Sequence, residues 1–267
     1  MDSANYKIFV INLDSRKDRL ARITDNLNRL GVEFDRFQAV FMERDRNSPR
    51  ILNAPLKFNS AKNRLFDFNP ISPGALGCYY SHMLVWKKIL DEKLDFAVIL
   101  EDDADLGENF PDAVNLLGRL KNWDYIKIPP SHLALKVSKS APVPLRHASS
   151  ASPAAEFRLC AWRKVPFLTT VECVSFQGAK KLLSVGEFYR PIDFDLQFYW
   201  RFGVKIFGLL GENIVSVAQS KSDISTTADP GAKSNVFVKL YMKPYMYLAN
   251  LAYRALWRNS LREIEIA

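Results

Sequence analysis

Cysteine and histidine are both scarce in this 267-residue chain, at three each. Cys78, Cys160 and Cys173 show no Cys-x-x-Cys spacing and cannot all pair, so they read as reduced thiols and not as a disulfide framework. His82, His132 and His147 are widely scattered, which argues against a histidine-based zinc site. No stretch of about 18 apolar residues occurs, so no bilayer-spanning helix is predicted. A glycine-rich phosphate loop is missing as well, which weakens a Rossmann or Walker-type reading. The opening residues carry no leader pattern, since the apolar run from Tyr6 to Leu13 is followed at once by Asp14, Arg16, Lys17 and Asp18. The expected setting is the cytoplasm.

What is present is the balance of a soluble globular protein: 48% hydrophobic and 25% charged residues. The length suits one large α/β domain, or one domain with a small C-terminal addition. A net charge of +8 points to an anionic partner, whether nucleotide, nucleic acid or anionic membrane. The basic residues are spread along the chain and no nucleic-acid-binding motif accompanies them.

The most informative stretch is Phe96-Ala97-Val98-Ile99-Leu100 running into Glu101-Asp102-Asp103-Ala104-Asp105. The apolar half reads as a strand buried on both faces. The carboxylates then stand at its C-terminal end, where open α/β sheets place ligands. On a backbone that stays extended, Glu101, Asp103 and Asp105 point one way and Asp102 the other. Acids this close repel, and are tolerable only in water or around a cation. Oxygen ligands at this density suit Mg²⁺ or Mn²⁺. The bland alternative is a solvated acidic turn.

Lys7 to Ile11 predicts the first strand, and Leu20, Ile23, Leu27 and Leu30 a helix after it, with Ser15 and Asp18 as a capping pattern and Gly31 as the stop. Arg16 and Arg19 lie in that helix's first turn, where cations oppose the helix dipole unless an anion such as a diphosphate is bound nearby. Phe34 to Val40 predicts a short strand, and Met42 to Phe68 an irregular surface loop with room for a short helix. Ser72-Pro73 opens a helix to about Lys93 that carries His82, which reads first as a structural histidine. Pro111 to Leu120 reads as a helix, Trp123 to Ile128 as a strand, and Pro129 to Ala155 as a long loop. Strands at 157–162 and 167–176, a helix at 178–183, a helix from Pro191 to about Phe202 and a strand at 204–209 complete the domain. Asp193 and Asp195 open the last of those helices, as caps or as carboxylates aimed at a site.

The region 235–267 differs in character. As a helix it gathers Tyr253, Trp257, Leu261 and Ile264 on one face beside Arg254, Arg258 and Arg262. That pattern fits a basic amphipathic helix on an anionic membrane, or one docked on the protein's own core.

Several of these stretches fall in a known order. Ile8-Phe9-Val10-Ile11-Asn12-Leu13 with Arg16 and Arg19 resembles the opening of the family 25 glycosyltransferases, the lipooligosaccharide-biosynthesis type. Pro73 to Cys78 with Ser81, His82 and Trp86 is similar to the next motif, and Ile99 to Ala104 to the one after. Gly178 to Leu183, Pro191-Ile192-Asp193, and Gln219 with Ser222 and Ile224 follow in the family's order. The similarity covers about Tyr6 to Ser225.

The resemblance implies a GT-A fold: one α/β domain, 1–234, with a mostly parallel central sheet flanked by helices, before the helical tail, 235–267. It implies inverting transfer of a hexose, most often galactose, from a UDP-sugar to a glycan or lipooligosaccharide acceptor, with UDP-glucose or UDP-N-acetylhexosamine as other donors. Mn²⁺ or Mg²⁺ is implied at an acidic motif that falls on Glu101-Asp102-Asp103. Asp103-Ala104-Asp105 overlaps it, so Asp103 and Asp105 are the metal candidates. Ile11, Asn12 and Leu13 are implied to hold the uridine, with Arg16, Arg19, His82, Glu101 and Asp102 around the donor. Asp193 is the candidate base, with Glu172 and Asp195 as backups. Two departures stand out: Cys173 where an aromatic is commoner, and no histidine after His147 to serve as a late metal ligand. The setting implied is the inner face of the cytoplasmic membrane, peripheral through the tail. The competing readings are a non-catalytic basic protein binding nucleotide or membrane, and an inactive family member.

Overall fold

The computed structural model describes residues 4–66, 71–130, 143–145, 157–162, 165–167, 169–216, 244–245, 247–249, 251–252 and 264. The closing motif at Gln219, Ser222 and Ile224, most of the loop expected at 129–155, and most of the tail face lie outside the described residues. Ile264, the described member of that face, packs against the core.

In chain order the elements are β1 (Tyr6–Asn12), α1 (Lys17–Arg29), β2 (Asp35–Gln38), α2 (Met42–Asp45), α3 (Pro49–Leu52), β3 (Lys57–Phe58), α4 (Ser60–Phe66), α5 (Pro73–Asp91), β4 (Phe96–Glu101), β5 (Asp105–Leu106) and α6 (Phe110–Arg119). Then come β6 (Tyr125–Lys127), β7 (Val143–Leu145), β8 (Phe157–Ala161), β9 (Val171–Ser175), α7 (Phe176–Leu183), β10 (Glu187–Phe188), α8 (Ile192–Asp195), α9 (Tyr199–Phe202), β11 (Ile206–Leu210) and β12 (Val215–Ser216). No described helix is long and apolar enough to cross a membrane.

Eight strands form one sheet in the order β2-β1-β4-β9-β6-β11-β8-β7. The expected mostly parallel sheet is a mixed one. β1 pairs in parallel with β2 and β4, and β6 with β11. β9 runs antiparallel between β4 and β6, and β8 is antiparallel to both β11 and β7. An apolar run marks a buried strand, but its direction is set by the connections around it, which the pattern does not encode.

The sheet is covered on both faces. α5 and α7 pack on one face around Phe9, Ile99, Trp86 and Leu182. α1 and α6 pack on the other around Val10, Leu100, Leu27 and Leu117. Period-two alternation therefore sends Glu101 to the α5 side with Ile99, while the chain turns immediately afterwards and Asp102 emerges on the α1 side.

Local expectations divide. Ser72 caps α5 as the Ser-Pro pair predicts, its Oγ accepting the Ala75 N–H at 3.2 Å. Ser15 does not cap α1: Arg16 occupies that position, and Asp18 is drawn to its guanidinium at 2.9 and 3.1 Å. The stretch after Met42 is no mere surface loop, because Met42, Ile51, Ala54 and Leu56 are buried in the α5-side core. The helix from Pro191 breaks into α8, a 3₁₀ turn at Leu196–Phe198 and α9.

Candidate functional site

A cleft of about 470 Å³ opens where the C-terminal ends of β1 and β4 meet the start of α5. Its lining includes Ile11, Leu13, Arg16, Arg19, His82, Glu101, Asp102 and Asp103. Two larger hollows, about 1070 and 910 Å³, lie around the opposite strand ends, at Tyr6–Ile8 and at Asp95–Phe96, away from these groups. The position agrees with the rule that open α/β sheets bind ligands outside the carboxyl ends of their strands.

The three adjacent acids are in three different situations. A turn closed by the Ala104 N–H on the Glu101 carbonyl, at 3.0 Å, ends the extended backbone. Asp102 is used inside the protein. Its Oδ2 accepts from Asn12 Nδ2 at 2.7 Å and its Oδ1 from Arg19 Nη1 at 3.1 Å, and the residue is nearly buried. Asn12 is itself occupied, donating to the Arg16 carbonyl at 3.0 Å and accepting from Arg36 Nε at 3.1 Å, and it does not line the cleft. Asp103 does line it, with Arg19 Nη1 4.0 Å away. Burial first, and then the charge of Glu101, push its carboxyl up to about 6. A carboxylate so disfavoured as an anion suits a divalent cation, which reverses both effects. Asp105 enters β5 on the far side of the turn, where its Oδ2 accepts from Ser216 Oγ at 2.5 Å. It is exposed and outside the cleft, because the turn destroys the alternation that would have aligned it with Asp103.

Glu101 heads a buried row of charges on the α5 side of the sheet. Its Oε1 accepts from Thr169 Oγ1 at 2.5 Å and lies 3.4 Å from His82 Nε2 and 3.8 Å from Cys78 Sγ. Behind it, His82 Nδ1 stands 3.2 Å from Glu172 Oε2, and Lys127 Nζ lies 3.3 Å from Glu172 Oε1. Lys127 also donates to the Pro166 carbonyl at 2.9 Å. Cross-strand register makes this row, since Lys127 is opposite Glu172 in the β6–β9 pair. Burial opposes a charged His82, yet bonds to Cys78, Glu101 and Glu172 outweigh it and raise the imidazole well above its ordinary value. Burial likewise works against the Glu101 anion, but His82 above all, with Thr169 and Lys127, holds the carboxyl below its usual range.

The carboxylates considered as bases separate by position. Glu172 is fully buried behind His82 and does not line the cleft. Asp195 is equally buried, accepting from Tyr79 OH at 3.0 Å and Arg201 Nη1 at 2.7 Å. Asp193 also lies outside the cleft lining but is half-buried, its Oδ1 accepting its neighbour Phe194's N–H at 2.8 Å. Burial raises its pKa against the pull of Lys127, with Glu101 and Glu172 close enough to add to the rise.

A sequence model described as Glycosyltransferase family 25 (LPS biosynthesis protein) matches residues 5–193. The chain belongs to glycosyltransferase family 25. It is similar to Procollagen galactosyltransferase 2 of Homo sapiens, 25% identical over 194 residues, which covers 71% of this chain and 29% of that protein. It is 30% identical over 97 residues to Procollagen galactosyltransferase 1-B of Xenopus laevis, covering 36% of this chain and 16% of that protein. A Glycosyltransferase 25 family member of Aedes aegypti is 27% identical over 123 residues, or 45% of this chain and 20% of that protein. The chain thus spans less than a third of the length of these relatives.

In this family 25 glycosyltransferase Cys78, which the sequence marks only as a reduced thiol and the end of a motif, joins His82, already a donor-site candidate, at the cleft. Cys78 and His82 stand four apart on α5, a spacing that puts both on one helix face. Thr169 and Lys127 carried no signal, because they reach the site through the antiparallel β9. Gly77 is required by close approach: a Cβ there would sit 2.5 Å from the Val40 carbonyl oxygen. That approach lets Ser81 Oγ accept the Val40 N–H at 2.8 Å and fixes one wall of the cleft.

Proposed function

We propose that this family 25 glycosyltransferase moves a hexose, galactose first, from a UDP-sugar to a hydroxyl of a surface glycan such as lipooligosaccharide, with inversion. The observation that carries the reading is the cleft itself, which sets Arg16 and Arg19 beside Glu101 and Asp103 at the carboxyl ends of β1 and β4. Cations and acids together match a ligand that is itself anionic and arrives with a metal ion. The cleft volume of about 470 Å³ lies within the range of small-molecule sites.

In this reading Arg16 attracts the diphosphate, while Arg19 is held by Asp102 so that its charge stays at the cleft wall. Ile11 and Leu13 offer apolar surface beside the uridine. Mn²⁺ or Mg²⁺ would be held by Asp103, and when bound it neutralises charge gathering on the departing diphosphate. Asp193 takes the acceptor hydroxyl's proton, and its raised pKa brings it nearer the range that general bases need. Glu172 and Asp195 hold neighbouring side chains in this scheme and touch no substrate. Residues 1–234 form the catalytic unit, and 235–267 bring it to the inner face of the cytoplasmic membrane. Exposed Tyr247, Leu248 and Leu251 supply apolar surface for that contact.

The test is UDP release from UDP-galactose, UDP-glucose and UDP-N-acetylhexosamines, with and without Mn²⁺, followed by the anomeric configuration of the product. Release from UDP-galactose in Mn²⁺ and an inverted product are expected. No release from any UDP-sugar overturns the reading, and a retained configuration overturns the base assignment.

A further inference from the structure

The thiol of Cys78 has no place in hexose transfer, yet it faces the cleft beside His82 and Glu101. We propose that Cys78, His82 and Glu101 form a site for a borderline divalent cation such as Zn²⁺, separate from the hard-ion position at Asp103. This goes beyond the donor reading and needs no nucleotide.

The geometry carries the assignment. One donor atom from each residue lies within 4.8 Å of the others. Zinc bonds of about 2.3 Å to sulfur, about 2.0–2.1 Å to nitrogen and about 2.0–2.2 Å to oxygen, at tetrahedral angles, require N···O of about 3.4 Å and S···O of about 3.6 Å. The chain has His82 Nε2 3.4 Å and Cys78 Sγ 3.8 Å from Glu101 Oε1. Two edges of the triangle are thus already close to those of one coordination shell, and the third, between Cys78 and His82, lies within 4.8 Å. Two elements set them: α5 supplies Cys78 and His82, and the end of β4 supplies Glu101.

The surroundings match as well. A ligating histidine commonly turns its other ring nitrogen to a carboxylate, which fixes ring orientation and tautomer. Glu172 Oε2 stands 3.2 Å from His82 Nδ1, and Lys127 balances that glutamate from 3.3 Å. Thr169 Oγ1 pins Glu101 from the side. A thiolate and a carboxylate cancel the charge of a divalent ion, so the loaded site is neutral inside a buried row. Mixed sulfur, nitrogen and oxygen ligands select Zn²⁺ over Mg²⁺ or Mn²⁺. Three protein ligands would leave a fourth position for water.

Cobalt substitution tests this on the reduced, full-length chain. Co²⁺ is expected to give a thiolate-to-cobalt charge-transfer band at one ion per chain, displaced by Zn²⁺. Cys78→Ser should abolish the band and Asp103→Asn should retain it. In the unmutated protein, Zn²⁺ should slow alkylation of Cys78, mapped by mass spectrometry, at least tenfold, with EDTA restoring the rate. Absence of the band with unprotected Cys78 overturns the site and leaves an ordinary thiol hydrogen-bonded to Glu101. A band lost in Asp103→Asn overturns its separateness. UDP binding in Mn²⁺ is scored independently, so failure here and failure of the donor reading are distinguishable.

Discussion

Asp102 and Asp103 are neighbours in sequence, yet their removal should move stability in opposite directions. Asp102→Ala takes the partner from Arg19, whose side chain is only 9% exposed, and one acceptor from Asn12. Leaving one member of a buried ion pair costs about 3–5 kcal/mol. Arg19 can lean towards Asp103, 4.0 Å away, so the lower end, about 3 kcal/mol, is expected. At the unfolding entropy of a chain this size that is a Tm fall of about 6 °C. Asp103 is the reverse case. Its carboxyl is raised from 3.8 to about 6, so the folded chain binds that proton more tightly than the unfolded chain does. The stability contributed by the proton is present below about pH 4 and lost as pH rises through about 6. Above that window the ionised group opposes folding by up to about 3 kcal/mol, reduced by solvent screening to about 1–2. Asp103→Asn removes the opposition and should raise Tm by about 2–4 °C near pH 8 in EDTA. Differential scanning calorimetry of both variants reads the pair. Equal destabilisation by the two substitutions would refute the division of labour, as would an Asp102→Ala protein as stable as the parent.

Three further outcomes follow from the same geometry. Asp193→Asn should lower kcat about 10²–10⁴-fold while UDP binding in Mn²⁺ is unchanged, measured by steady-state kinetics and calorimetry; weakened UDP binding with unchanged kcat contradicts the base assignment. Glu172→Gln and Lys127→Met should each destabilise by about 3 kcal/mol or more in urea melts, and the double variant by clearly less than their sum, because the pair is buried; strict additivity argues against the coupling. Mn²⁺ competes with a proton at Asp103, so its apparent affinity should fall about tenfold per pH unit below about 6 and level off above, followed by Mn²⁺ electron paramagnetic resonance. A flat profile across that window removes Asp103 as the ligand.

The strands and the long helices were legible because burial on two faces leaves apolar runs, and because Ser72-Pro73 and Gly31 mark a start and a stop. The acidic cluster was legible for the same reason: the apolar run stops at Leu100 and three acids follow it at once. Strand direction was not, since Val171 to Val174 reads alike whichever way β9 runs. That reversal brings Glu172 opposite Lys127 and Thr169 to Glu101, contacts of high sequence separation that no local pattern encodes. The misplacement of Asp105 has a simpler cause, because one turn after Glu101 cancels the alternation on which its alignment depended. Asn12 was expected to face a ligand, but Asp102 and Arg36 saturate its amide from inside.

The central claim is that a cation held by Asp103 joins a UDP-sugar to this cleft. Isothermal titration of UDP into the parent chain and into Asp103→Asn, each in Mn²⁺ and in EDTA, tests it most directly. Binding by the parent in Mn²⁺ alone, weakened at least about tenfold in the variant, is predicted from the loss of a charged metal ligand. UDP affinity that is the same for both proteins and indifferent to EDTA would contradict it.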